Sequence, residues 1–166
     1  TTTPANIAMP MIKSVKINDE LKREIIKKLK TLLKTLGIHD LILRLSTNAE
    51  DLDDYPGVGA GVYESKEHVT IDDEDKFFES LLEVYSSLWS YEAFCDREMY
   101  HIDHFSVYPA MMIQEYLVGA DYSFLVHTAE PATKDHNIIM IELMPGSGRS
   151  LTSPEPLLQG EPYRFY

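Results

Sequence analysis

A run of branched apolar residues leads to one arginine and then to a glycine-rich turn. Residues 41–46 read Leu-Ile-Leu-Arg-Leu-Ser, with Arg44 as the charged member, and Gly57, Gly59 and Gly61 follow. The run predicts a buried strand. Arginine offers phosphate oxygens a fixed fork of N–H donors, and glycines let backbone N–H groups approach a polyphosphate. The pattern therefore indicates an anion site, although a flexible turn tip also explains the glycines.

Arg44 stands in a strand otherwise made of leucine and isoleucine, where an unpaired charge is expensive. It therefore needs an anionic partner. From the residues alone, a structural carboxylate such as Glu50 or Glu142 is slightly favoured over a bound phosphate, because structural ion pairs are common.

Two later segments place polar groups at the ends or in the middle of apolar strands. The end of the strand at residues 114–118 can present backbone N–H and C=O groups to an adenine edge, although an ordinary hairpin entrance reads the same way. Glu142 lies between Ile141 and Leu143, which suggests a carboxylate facing a cleft. A hard cation such as Mg²⁺ binds one or two carboxylates together with phosphate oxygens.

Several motifs occur in an order that resembles the nucleotide-binding half of the pyruvate phosphate dikinase and phosphoenolpyruvate synthase superfamily, especially its glucan, water dikinase and phosphoglucan, water dikinase branch. That superfamily uses the ATP-grasp fold. The likeness covers about residues 41 to 153, and several ordered motifs are more specific than one glycine loop. The motifs are Arg-Leu-Ser-Thr-Asn-Ala-Glu-Asp-Leu at 44–52, Gly-Val-Tyr-Glu-Ser at 61–65, His-Thr-Ala-Glu-Pro at 127–131 and Asp-His-Asn at 135–137.

The resemblance implies ATP and Mg²⁺ as ligands and a role for each candidate residue. It implies that Arg44 contacts the phosphates, that Gly57, Gly59 and Gly61 form a lid over the triphosphate, that Gln114, Glu115 and Val118 form the adenine hinge, and that Glu142 binds magnesium. We expect residues 53–61 to be poorly ordered or displaced without nucleotide. We also expect Arg44, Gln114, Glu115 and Glu142 to converge on one cleft.

The chain departs from the family pattern at one motif. The family's Gly-Leu-Gly-Glu reads Gly-Ser-Gly-Arg at residues 146–149, so Arg149 replaces an acid. Arg149 either binds ATP phosphate directly or marks weakened metal binding and lost phosphoryl transfer. Both alternatives stay open.

The family resemblance predicts the ATP-binding portion of a dikinase that phosphorylates an alpha-glucan through a phosphohistidine on another domain. The histidine motif is absent from these residues, and the family's lysine-bearing segment would lie upstream. We therefore expect no catalytic residue in this segment, weak or no Mg·ATP binding by it alone, and no dikinase turnover. The alternatives are a non-catalytic regulatory or binding module that keeps the fold, and an enzyme like phosphoenolpyruvate synthase or pyruvate phosphate dikinase.

Composition limits the partners. The 166 residues carry a net charge of −12, which argues against nucleic acid and anionic membranes. The single cysteine, Cys95, fits a reducing, intracellular compartment: the cytoplasm, or a plastid for the full-length protein. The expected partners are ATP, other domains of the same polypeptide and, through them, a glucan.

Periodicity predicts an α+β fold, here part of an ATP-grasp domain, with a largely antiparallel sheet and flanking helices. We expect an irregular lead-in at 1–17 and one domain over 18–166. The helix that starts at Asn18 or Asp19 has a basic face, which is more often a solvated surface than a substrate groove. That face consists of Lys22, Arg23, Lys27, Lys28, Lys30 and Lys34. The predicted helices run from Asn18 or Asp19 to Gly37 and from Asp73 to about Tyr91, and a shorter helix continues to about His101. The predicted strands are at 41–46, 110–117, 122–128 and 138–143. A hairpin turn at 118–121 is expected to join the second and third of these strands.

Overall fold

The computed structural model describes residues 4–50, 61–146 and 162–166, and the chain divides into two compact units between Tyr116 and Leu117. The first unit contains α1 (Pro4–Lys13), α2 (Asp19–Leu36), β1 (Leu41–Thr47), β2 (Ser65–Val69), α3 (Glu74–Ser86), α4 (Tyr91–Met99) and β3 (Pro109–Glu115), with short 3-10 helices at Ser87–Trp89 and His104–Ser106. The second unit contains β4 (Tyr122–His127), β5 (Met140–Pro145) and β6 (Tyr163–Phe165). The α+β fold class with antiparallel sheets is confirmed.

The sheet of the first unit has the strand order β2-β1-β3, and both pairs are antiparallel. Alternate residues of β1, namely Leu41, Leu43 and Leu45, are buried in the core of this unit. Phe77 and Phe78 of α3 belong to the same core. Burying each of these leucines contributes roughly 1.5–3 kcal/mol, so the central strand is held firmly against the helices.

Local capping signals determine where α2 and α3 begin and where α2 ends. The Asn18 side chain accepts hydrogen bonds from the backbone N–H groups of Glu20 (2.8 Å) and Leu21 (3.3 Å), and α2 ends at Gly37 in the left-handed conformation, φ 69°. Before α3, the Asp73 carboxylate accepts from the backbone N–H of Lys76 (3.1 Å), which lowers the pKa of Asp73. Both predicted helix starts are confirmed.

The sheet of the second unit has the order β4-β5-β6, again antiparallel. Its register separates the side chains into a mixed face and an apolar face. Met140 and Met144 of the mixed face are buried, whereas Tyr122 and Phe124 of the apolar face are exposed. The mixed face comprises Ser123, Leu125, His127, Met140, Glu142, Met144 and Arg164, and the apolar face comprises Tyr122, Phe124, Val126, Ile141, Leu143, Pro145, Tyr163 and Phe165.

Two expectations about the fold are wrong. Helix α1 occupies part of the segment expected to be an irregular lead-in, because it packs against α3 and α4 although Pro10 lies inside it. The turn at 118–121 does not join a hairpin, since β3 pairs with β1 and β4 pairs with β5. A glycine in a turn indicates a change of direction and does not select the strand partner.

The predicted helix from Asp73 is confirmed at its start and is shorter than expected. It ends at Ser86, where a 3-10 turn leads into α4. Strands β2 and β6 were not predicted. No helix of the described residues is long and apolar enough to cross a membrane.

Candidate functional site

Arg44 lies on the face of the first sheet that points away from the core leucines. On the neighbouring strands, Ser65 and Met112 lie opposite Arg44 in the register. Arg44 is exposed between the buried Leu43 and Leu45, and within the described residues no carboxylate forms an ion pair with it. The expectation that Arg44 is buried and needs an anionic partner is therefore wrong. Side chains alternate along the strand, and the Arg44 side chain is exposed to solvent. An exposed guanidinium with its donors available suits binding of an incoming anion.

The adenine-hinge candidates are divided by the same alternation. Gln114 lies opposite Ile42 and so shares the face of Arg44, at a cross-strand diagonal of roughly 7–8 Å between backbone positions. Glu115 lies opposite Leu41 and points to the other face. Val118 follows β3 and is 70% exposed. The first unit therefore brings Arg44 and Gln114 together and leaves Glu115 apart from them.

Glu142 forms an ion-pair cluster on the mixed face of the second sheet. The Arg164 Nε atom donates to Glu142 Oε1 at 2.7 Å, and His127 Nε2 lies 3.8 Å from Glu142 Oε2. The Glu142 side chain is only 14% exposed. A charge-assisted hydrogen bond of this length is among the stronger ones in proteins. Glu142 is thus partly neutralised by the protein itself.

The cluster contains one carboxylate that suits magnesium. In the described part of the chain no group of three or more His, Cys, Asp or Glu residues is arranged to hold a metal ion. Magnesium can bind a protein through one carboxylate when nucleotide phosphates supply further oxygens. Glu142 fits that role, with Arg164 as a competitor for Oε1.

Sequence reasoning did not identify Arg164 as part of the site. The signal that could have found it is the alternation Tyr163-Arg164-Phe165, where an arginine between two aromatic residues indicates a short strand with one charged side chain on the opposite face. His127, the first residue of the motif at 127–131, also lies in this cluster, and its side chain is 31% exposed.

Other sequence candidates have mixed outcomes. Gly57, Gly59, Arg149 and most of the predicted lid lie outside the described residues. Gly61 is described, with φ 75° and open space around its Cα, so the left-handed backbone is what favours glycine there.

The convergence of Arg44 and Glu142 stays a prediction, since they belong to different units.

Comparison with known proteins decides the family. The sequence profile described as "Pyruvate phosphate dikinase, AMP/ATP-binding domain" matches residues 3–154. The chain belongs to this family. The expected resemblance is confirmed, and with it the assignment to a family of phosphotransferases.

Named relatives include both dikinases and synthases. The chloroplastic alpha-glucan water dikinase of Solanum tuberosum is 25% identical over 92% of this chain and 11% of that protein. The phosphoenolpyruvate synthase of Pyrococcus furiosus is 28% identical over 86% of this chain and 17% of that protein. The chloroplastic alpha-glucan water dikinase of Citrus reticulata is 31% identical over 46% of this chain and 5% of that protein. The chain thus spans less than a fifth of each of these relatives.

Proposed function

We propose that this chain is the ATP-binding portion of an ATP-grasp dikinase that phosphorylates an alpha-glucan. The observation that carries the proposal is that Arg44 and Gln114, both exposed, share one sheet face inside the segment matched to an AMP/ATP-binding domain. A cation without a protein partner among the described residues, next to a neutral amide, suits a phosphate chain followed by a less polar base.

Each residue then has a defined task. Arg44 binds phosphate oxygens of ATP and offsets part of their negative charge. Gln114, Glu115 and Val118 belong to the segment that recognises adenine, largely through backbone groups. Glu142 supplies one carboxylate oxygen to magnesium. When bound with the nucleotide, the metal would neutralise phosphate charge. Gly57, Gly59 and Gly61 form the lid, and Arg149 adds a phosphate contact. The phosphohistidine lies on another domain of the polypeptide, and the glucan binds through other domains.

A second candidate is a non-catalytic module that retains nucleotide binding. The pairing of Glu142 with Arg164 favours it, because a carboxylate already neutralised by arginine is a weaker metal ligand. Arg149, where the family has an acid, points the same way. A third alternative is an enzyme like phosphoenolpyruvate synthase or pyruvate phosphate dikinase, and the similarity to phosphoenolpyruvate synthases of Pyrococcus supports it.

Nuclear magnetic resonance titration of the ¹⁵N-labelled chain with Mg·ATP tests the proposal, since chemical shifts detect millimolar binding. We expect weak binding that shifts the resonances of Arg44, Gln114 and residues 115–118. Magnesium tripolyphosphate, which lacks the base, should shift Arg44 and leave 115–118 unchanged. A titration with no shift at Arg44 or Gln114 would overturn the ATP-site assignment.

A parallel assay for AMP and free phosphate addresses catalysis. We expect no AMP formation from this chain, because the assay contains no phosphohistidine domain to accept the phosphate. Robust AMP formation would show that the mapping onto the dikinases is wrong.

A further inference from the structure

Three residues from three different strand ends form a closed set of contacts at one end of the first sheet. The backbone N–H of Tyr116 donates to the Asp40 carbonyl at 2.9 Å. His68 Nδ1 lies 2.8 Å from Asp40 Oδ2, and the His68 ring meets the Tyr116 ring edge-on with centroids 4.4 Å apart. We call Asp40, His68 and Tyr116 the clasp. It ties the residue that follows β3 to the start of β1 and to β2.

The backbone of β2 is irregular where it supplies His68. Leu41 pairs with Val69 and Leu43 pairs with Lys66, so β2 contains one more residue than β1 between these pairs. His68 has a left-handed φ of 55°. An extra residue in a strand re-aims side chains, and a non-glycine residue in this conformation persists only where its surroundings hold it. The bulge thus directs the His68 ring toward Asp40 and Tyr116.

The contact with Asp40 also defines the hydrogen positions. A carboxylate only accepts hydrogen bonds, so Nδ1 of His68 carries the proton. Asp40 Oδ1 is buried and has no hydrogen-bond partner in the described part of the chain. Such an oxygen is costly to keep buried. Stability alone therefore does not explain why residue 40 is an aspartate. We take its contact with His68 to serve in positioning that ring.

We propose that Asp40 and His68 are positioning residues that hold the hinge segment, residues 114–118, for recognition of adenine. The inference rests on the proposed function, since it assigns the clasp to the same nucleotide site. Tyr116 is the middle residue of the hinge segment, and the clasp restrains both its backbone N–H and its ring. A restrained strand end presents its backbone groups to a planar base without an ordering cost on binding.

The decisive variants remove the clasp without straining the fold. His68→Gly deletes the ring, and glycine adopts φ 55° readily, so the bulge is retained. Asp40→Ala deletes the acceptor. Asp40→Asn is the conservative variant, because its amide oxygen can still accept from His68 Nδ1. Glu83→Gln is the control, since it breaks the ion pair of Glu83 with Lys66 on the same β2 strand.

Amide hydrogen exchange and nucleotide titration together test the proposal. In His68→Gly and Asp40→Ala we expect the Tyr116 amide to exchange about tenfold faster, while the amides of β1 are unchanged. Mg·ATP should bind roughly five- to tenfold more weakly to both variants than to the wild type. The affinity for magnesium tripolyphosphate should be the same in both variants and the wild type. Asp40→Asn and Glu83→Gln should match the wild type in every measurement.

The possible failures are distinguishable. If the wild type binds Mg·ATP and both clasp-deleting variants retain its affinity, the inference is overturned and the proposed function stands. If exchange at Tyr116 accelerates while the wild type binds no Mg·ATP at any concentration, the proposed function fails and the adenine role fails with it. Equal loss of Mg·ATP and tripolyphosphate affinity would also overturn a role specific to the base.

Discussion

The two sheets present their charged candidates in opposite states. Arg44 on the first sheet is exposed and has no ion-pair partner among the described residues, whereas Glu142 on the second is 14% exposed and paired with Arg164 at 2.7 Å. The cation is ready to bind an anion at once. The carboxylate must first give up part of an existing ion pair before it can bind a metal. Arg44 is thus better suited to its proposed phosphate contact than Glu142 is to its proposed metal contact.

The surroundings of the two candidates differ as well. Leu43 and Leu45, on either side of Arg44, are 0% and 7% exposed and belong to a core that includes residues of α2 and α3. In the described part of the second unit the buried apolar residues are Met140 and Met144. A binding group on a well-packed strand is held in place by the core. The carboxylate stands on a sheet with much less apolar burial of its own.

The largest expected effect concerns this difference in packing. Amide hydrogen exchange should be at least about 100-fold faster in β5 than in β1, because local stability follows buried apolar contacts. Mass spectrometry of the exchanging chain, without nucleotide, measures both strands in one sample. Equal protection of the two strands would contradict the comparison, and would show that the second unit gains as much stabilisation as the first.

A charge deletion on the first sheet should have the next largest effect. Arg44→Met should weaken Mg·ATP binding roughly ten- to 100-fold, because a hydrogen bond to a charged group contributes about 1.5–3 kcal/mol. Thermal stability should hardly change, since the side chain is exposed. The titration described above measures the affinity.

Lys34→Met on α2 is the matched control for Arg44→Met, because it removes the same charge from the basic helix face. Unchanged affinity in this variant would show that position matters, not net charge. An equal loss in both variants would instead favour long-range attraction by basic residues, and would revive the basic helix face as a substrate surface.

The smallest expected effect tests the paired state of Glu142. Arg164→Gln should strengthen binding of Mn²⁺, a paramagnetic probe for the magnesium site, roughly fivefold, because an ion pair with a half-exposed arginine contributes about 1 kcal/mol that the metal no longer has to displace. Paramagnetic broadening of the β5 resonances reports the affinity. Glu142→Gln should abolish the broadening. Tyr163→Phe, on the opposite face of the same strand, is the control and should behave as the wild type.

An unchanged Mn²⁺ affinity in Arg164→Gln would show that Arg164 does not compete with metal. The pairing of Glu142 with Arg164 would then no longer favour the non-catalytic alternative.

Several parts of the fold could be predicted because their causes are local. The start and end of α2 depend on Asn18 and Gly37, and the start of α3 depends on Asp73, each of which acts on backbone groups within a turn. The strand at 41–46 was recognisable because a central strand is apolar on nearly every residue. Strand β2, read as Ser-Lys-Glu-His-Val, has too little apolar pattern to be recognised.

By itself the sequence determined the family, the α+β class, the capped helices and the identity of Arg44 and Glu142 as the charged candidates. Only the tertiary structure decided which strands pair, that Arg44 faces solvent, that Gln114 shares its face while Glu115 does not, and that Arg164 reaches Glu142 across 22 residues. The physical reason is range. Caps and periodicity act within a few residues, whereas register and ion pairs between strands depend on where distant segments meet.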